Sequence, residues 1–127
     1  MVQLLWISLG GAVGTAARYL LSTWILRTGG PGFPWGTLAV NTIGSFLLGL
    51  IVQVALGTTL FSPTLRLTLT TGVMGGFTTY STFNYETLTA FQDGAWLLAF
   101  ANLGATVLGC LAAGLLGFAT GRWIAAI

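Results

Sequence analysis

Four long stretches of predominantly apolar residues run along this chain, at Leu4–Leu26, Gly36–Leu56, Leu65–Leu88 and Ala95–Ala119. Each is about 21 to 25 residues long. An α-helix needs roughly 20 to cross a hydrocarbon core of roughly 30 Å, so the pattern predicts four membrane-spanning helices. The connections carry turn chemistry: Thr28-Gly-Gly-Pro-Gly-Phe-Pro34, then Gly57 to Pro63, then Gln92-Asp-Gly94. None is long enough to hold a second domain, so residues 1–127 read as a single four-helix transmembrane domain. Trp6, Trp24, Trp35, Trp96 and Trp123 fall near predicted helix ends, where indole rings favour the headgroup region.

The third stretch breaks the pattern. Gly72 to Glu86 reads GVMGGFTTYSTFNYE, with a glycine pair, four aliphatic hydroxyls, an amide and four aromatic rings in a segment otherwise apolar enough to lie in a membrane. Non-helical backbone in hydrocarbon leaves N–H and C=O groups unsatisfied at several kcal/mol each. It persists only where protein or a water-filled path surrounds it. Gly75-Gly76 is expected to break this helix, and the freed carbonyls can coordinate a small hard cation.

Composition narrows the function classes. The chain is 55% hydrophobic and 5% charged, against roughly 25% charged in soluble domains, which makes it an integral membrane protein. Four arginines against Glu86 and Asp93 give a net charge of +2, too little and too scattered for a nucleic-acid partner. With no histidine and one cysteine, Cys110, there is no His-based acid–base chemistry, intrachain disulfide or ordinary transition-metal site. No nucleophile–base pair can be assembled, so the chain is not expected to be an enzyme. Cys110 reads as a small packing residue. The N-terminal MVQLLWISLGG lacks a basic n-region and its apolar run passes h-region length, so it is expected to be a retained first helix.

With four spans, Arg66 and Arg122 share one side of the membrane. Arg27 lies on the other, with Arg18 about two turns inside the first helix. Orientation follows the Lys/Arg imbalance of short flanks, and here the imbalance scarcely chooses. Either a weak bias suffices or the chain inserts both ways up.

Small and polar residues are patterned along the helices. Gly10 and Gly14 form a GxxxG pair. Ala105, Gly109, Ala113, Gly117 and Gly121 form a ridge that lets backbones approach closely. Each pair can serve packing within a subunit; the ridge's length favours an interface and an oligomer. On the second helix Thr37, Asn41, Ser45 and Gly49 recur at i, i+4, making one polar stripe. An amide in the membrane must be bonded, and Asn41 can serve either a neighbouring helix or a permeating ion. Asn102, Thr106 and Cys110 repeat this spacing on the fourth helix, on a face read as distinct from the ridge. Two such stripes facing one another make a narrow hydrated groove.

Arg18 can snorkel to the interface or supply a positive field that recruits anions to a vestibule. Glu86 is a partner for Arg18 or sits in water. In the organising stretch the hydroxyls of Thr78, Thr79, Ser81 and Thr82 accompany Tyr80 and Phe83, which share a helical face at i, i+3. Ring edges are positive, so paired rings can present edge hydrogens to an anion without a fixed charge.

The runs GGFTTYSTF (Gly75–Phe83), GTLAVNTIGSFLLG (Gly36–Gly49) and GGAVGTAARY (Gly10–Tyr19) resemble the small fluoride channels of the Fluc family, and the resemblance covers the whole chain. It implies an all-α integral membrane protein of four transmembrane helices, the third broken, assembled as an antiparallel, dual-topology homodimer. It implies two fluoride pores lined by both subunits, passive export of toxic cytoplasmic fluoride, and a multi-pass location in the cell membrane. It also implies a structural sodium ion (Na+) at the dimer centre, held by the backbone carbonyls of Gly75 and Thr78. Asn41 corresponds to the pore asparagine and Phe83 to one of two aromatic-box phenylalanines. The fourth-helix polar track corresponds to Asn102, Thr106 and Cys110. The candidate pore residues are Asn41, Phe83, Asn102 and Thr106 with Thr37, Tyr80, Ser81, Thr82 and Arg18. One departure stands out: the first box position, usually Phe, is Tyr80, whose hydroxyl either holds a permeating anion more tightly or bonds elsewhere.

Two other readings compete. A small dual-topology, proton-coupled drug exporter needs a membrane-embedded carboxylate, which the first helix lacks, with Glu86 near the end of the third. A non-transporting scaffold subunit accounts for the glycine ridges and leaves Asn41 and Gly72–Glu86 unexplained.

Overall fold

A computed structural model describes the whole chain, Met1 to Ile127. It is all helical. Helix α1 (Val2–Gly29), α2 (Trp35–Gly57) and α6 (Trp96–Ala125) are unbroken and long and apolar enough to cross a membrane. The third span is composite: α3 (Pro63–Leu67), a π-helical segment (Thr68–Met74), a single turn α4 (Gly75–Phe77), a break at Thr78–Thr79, and α5 (Tyr80–Gln92). The chain is thus a multi-pass membrane protein of four helical spans with the third interrupted.

The third span begins where local chemistry predicts a start. Ser62 caps it by accepting the Leu65 N–H at 3.2 Å, and Pro63 occupies the first turn. The Thr68 and Thr70 hydroxyls then donate back to the Thr64 and Arg66 carbonyls, each at 2.8 Å. Such back-bonding competes with the helical ladder and loosens it, and this is where the π segment forms. π-turns are rare and concentrate near functional sites; this one leads into the break.

The break lies beyond the glycine pair, which corrects the expectation from sequence. Gly75 and Gly76 are helical, and the chain extends only at Thr78 (φ −84°, ψ 159°) and Thr79 (φ −151°, ψ 109°). Gly76 is there for packing, since a Cβ on it would collide with the Gly11 carbonyl of α1.

The small-residue patterns are taken up inside the subunit. Gly10 and Gly14 are buried against the π segment and α4, and a Cβ on Gly14 would strike the Val73 carbonyl. Ala113, Gly117 and Gly121 are buried on α6, where Gly117 meets the Phe46 carbonyl and Gly121 packs on Leu50 and Gln53 of α2. The ridge is therefore the α2–α6 seam, and it no longer argues for an oligomer. Ala105, at its start, is exposed. The inward face of α6 passes from Asn102 and Thr106 to Ala113, Gly117 and Gly121, all buried, so the polar stripe and the ridge share one face instead of two.

Buried apolar residues are few. Val40, Met74 and Phe77 form the core, with Leu21, Leu47, Ile51 and Val73 packed on it. Leu, Phe and Trp side chains cover the outside of α1, α2 and α6, as expected where the surrounding solvent is lipid.

Candidate functional site

The site is built on the interruption between α4 and α5. Thr79 is the N-cap of α5. Its hydroxyl oxygen accepts the Thr82 N–H at 3.3 Å and lies 2.8 Å from the Thr82 hydroxyl and 3.5 Å from that of Ser81. Helix N-termini carry unpaired N–H groups and a partial positive charge, a setting that favours anions. Neighbouring helices hold the extended backbone. Arg18 of α1 donates from Nη1 to the Thr78 carbonyl at 3.2 Å. Asn41 of α2 donates from Nδ2 to the Thr79 carbonyl at 2.9 Å and accepts the Thr79 N–H at 2.7 Å. The guanidinium therefore reaches the break.

Two hollows flank this point. One, of about 280 Å³, is lined by Arg18, Thr15, Ser22, Thr37, Thr79 and Thr82 among others. The other is a groove of about 420 Å³ whose walls include Asn41, Ser45, Tyr80, Phe83, Thr106 and Cys110. Tyr80 and Phe83 meet edge to face with centroids 5.7 Å apart. Phe83 is buried, whereas Tyr80 is 76% exposed. No hydrogen bond of the Tyr80 hydroxyl exists within the subunit, and Ser81 and Thr82 are exposed beside it. The groove is thus open along the flank of the chain that carries Tyr80.

The two polar stripes share one groove, Asn41 and Ser45 from α2 and Thr106 and Cys110 from α6, while Thr37 and Asn102, at the other end of each stripe, are bonded to α5. On α2, Thr37 donates to Glu86 Oε1 at 2.7 Å, and Ser45 bonds back to the Asn41 carbonyl at 2.7 Å. On α6, Asn102 is 1% exposed and donates to the Thr87 hydroxyl at 2.9 Å. Thr87 in turn donates to the Phe83 carbonyl at 2.8 Å, and Thr106 donates to Asn102 Oδ1 at 3.4 Å. Asn102 thus braces α5 from α6. Thr42, one position along from Asn41 on α2, brings its Oγ1 to 3.9 Å from Cys110 Sγ on α6. Replacing Thr87 by valine keeps the shape but removes the acceptor of a buried amide. It is expected to cost about 1–3 kcal/mol, read as a lower Tm in detergent.

Glu86 pairs with Thr37 and not with Arg18; its Oε2 is buried without a partner. From sequence, Thr79 counts only as one of the hydroxyls of the organising stretch, outside the candidate pore residues, and Thr87 is not named. Thr79 had a usable signal, a threonine three residues before Thr82 at the start of a polar turn, the spacing of an N-cap. Thr87 had none, because its importance comes from Asn102 lying across the helix interface.

The Gly75 and Thr78 carbonyls both lack their ordinary helical donors. The Thr79 N–H, which a continuous helix would direct to Gly75, goes to Asn41, and the Thr82 N–H, which would serve Thr78, goes to Thr79. Gly75 faces open space.

A broken membrane-spanning helix, flanked by a cationic hollow and by an aromatic and hydroxyl-lined groove, defines a small multi-pass protein with an internal polar route. The chain belongs to the family described as CrcB-like protein, Camphor Resistance (CrcB), whose model matches residues 5–118. It is 57% identical over 122 residues to a protein of Sorangium cellulosum (strain So ce56) named fluoride-specific ion channel FluC, covering 96% of each chain. A protein of the same name from Anaeromyxobacter dehalogenans (strain 2CP-1 / ATCC BAA-258) is 55% identical over 125 residues, covering 98% of this chain and 99% of the relative. Another, from Geobacter metallireducens (strain ATCC 53774 / DSM 7210 / GS-15), is 49% identical over 122 residues, covering 96% and 98%.

Proposed function

We propose that this protein is a fluoride-selective ion channel of the plasma membrane, not an enzyme, and that it lets toxic cytoplasmic fluoride leave passively down its gradient. The observation that carries the reading is the groove at the break. A donor amide, hydroxyls and an edge-to-face ring pair line one cavity in a membrane-spanning chain, with a guanidinium on the hollow beside it. Near-full-length similarity to proteins named as fluoride-specific channels supports the choice of ion.

Fluoride is small and strongly hydrated, so a conducting path must replace its water with well-placed donors. Arg18 and the N-terminus of α5 draw the anion to the 280 Å³ hollow, where the Thr82 hydroxyl can donate. The Asn41 N–H, the edges of Tyr80 and Phe83, and Thr106 then line the groove. Chloride is rejected by width and by donor geometry.

The groove is completed by a second copy of this chain. Exposed Tyr80, Ser81 and Thr82 on a lipid-facing flank would be costly unless covered. An antiparallel, dual-topology homodimer with two pores fits the near-even split of arginines between the two sides. The Gly75 and Thr78 carbonyls, freed of helical donors, suit a hard cation such as structural sodium, with Arg18 Nη1, 3.2 Å from the Thr78 oxygen, having to give way or share that oxygen. One chain offers two such oxygens, so a site on the dimer axis would draw the others from the partner. Bound there, the ion would neutralise converging carbonyl dipoles.

Fluoride efflux from liposomes holding the purified protein, followed by a fluoride electrode with a chloride-loaded control, tests the reading. Fluoride release without chloride is expected; release of neither or of both overturns it. Replacing Tyr80 by phenylalanine keeps the ring and removes a hydroxyl able to bond the anion. A hydrogen bond to a charged group is worth about 1.5–3 kcal/mol. The fluoride concentration for half-maximal flux should therefore rise at least about tenfold, which flux measured over a fluoride series checks.

A further inference from the structure

Asn41 and Thr79 form a closed pair. The side-chain amide of one both donates to and accepts from the backbone of the other, at 2.9 and 2.7 Å, and each residue is 8% exposed. This is the exchange two residues make in an antiparallel ladder, with the asparagine amide replacing one peptide. Thr79 has the extended conformation that such a pair requires.

Two physical consequences follow. An N–H engaged with Asn41 Oδ1 is not available to the Gly75 carbonyl, so the helix cannot continue through Thr79 while the pair is intact. The glycines upstream remain helical, which leaves the pair, and not local flexibility, as the cause of the interruption. The pair also fixes which way the asparagine amide points. Thr79 N–H can only donate and Thr79 C=O can only accept, so Oδ1 faces the protein. Nδ2 keeps one uncommitted hydrogen, and Asn41 lines the groove. An anion there meets a donor and never the amide oxygen.

We infer that Asn41 is a positioning residue as well as a pore group: its oxygen holds Thr79 out of helical register and so opens the third span. The inference deepens the fluoride-channel reading, and only its flux arm rests on that reading.

Amide hydrogen exchange on the purified protein tests the pair without reference to transport. Thr79 should be protected in the parent and in Asn41→Asp, which retains an acceptor oxygen. It should exchange at least about tenfold faster in Asn41→Ala, with the helical amide of Ala99 unchanged. Equal protection in all three overturns the inference. The flux arm uses an ester in place of the amide at Thr79, introduced as the α-hydroxy analogue of threonine, which removes the N–H and alters no side chain. Fluoride efflux should fall about tenfold although Asn41 is intact; efflux equal to the parent's would mean that Asn41 acts on the anion alone. The ester variant also keeps the inference open to refutation if Asn41→Ala does not fold. Absence of fluoride efflux from the parent would overturn the channel reading and leave the exchange result standing.

Discussion

Asn41→Asp is expected to stop fluoride efflux while leaving the chain folded. The carboxylate keeps an oxygen for the Thr79 N–H, so the hydrogen bond now 2.7 Å long survives, while the Thr79 carbonyl loses its donor. What changes most is the groove, where a donor is replaced by a negative charge. Two like unit charges about 4 Å apart repel by about 4 kcal/mol at an effective dielectric constant near 20, which lowers anion occupancy by about a thousandfold. The initial rate of fluoride release from liposomes, at matched protein and with elution profile as the folding control, measures this. A rate within a few fold of the parent's would refute the pore role of Asn41.

The second large effect is structural. Gly14→Val is expected to prevent the third span from docking on α1. A side chain there meets the Val73 carbonyl and, at 2.9 Å, the Phe77 nitrogen. Both are backbone atoms and cannot rotate away as a side chain could. Overpacking typically costs about 1–3 kcal/mol and occasionally more, and two backbone collisions at the segment leading into the break place this case at the upper end. Size-exclusion chromatography of the purified variant should show little or no monodisperse protein. Gly104→Val is the control: nothing lies within 4 Å of a Cβ at Gly104, and that variant should elute as the parent does. Equal behaviour of the two would sink the argument.

Much of the architecture is legible in the chain. Apolar runs of membrane length are a strong signal, because hydrocarbon leaves a backbone few options besides a continuous helix. That is why α1, α2 and α6 are visible from composition alone. The same constraint made Gly72–Glu86 conspicuous, since polar and aromatic residues gather there against the prevailing pattern. The position of the break was not legible. Gly75-Gly76 carries the usual breaker signal, yet Gly76 serves a close contact with α1, and extension occurs at two threonines with ordinary local propensities.

Partners across helices were equally hidden. An i, i+4 stripe gives the face of a helix and says nothing about what stands opposite. Asn102 was placed on a pore track, and its nearest donor and acceptor partners turn out to be Thr87 and Thr106. Glu86 had Arg18 as an apparent partner, and Thr37 is the actual one. The small-residue ridge on α6 suggested a second chain, and α2 of the same chain covers it from Ala113 to Gly121.

By itself, then, the sequence determined that this is a membrane protein of four spans with a polar interruption in the third, because hydrophobic length and local polarity are sums over neighbours in the chain. Only the tertiary structure decided where the interruption falls, what holds it open and which polar groups line the groove. Asn41 and Thr79 are 38 positions apart, Arg18 and Thr78 are 60 apart, and a hydrogen bond between such groups exists only once the packing of α1 and α2 has brought them together.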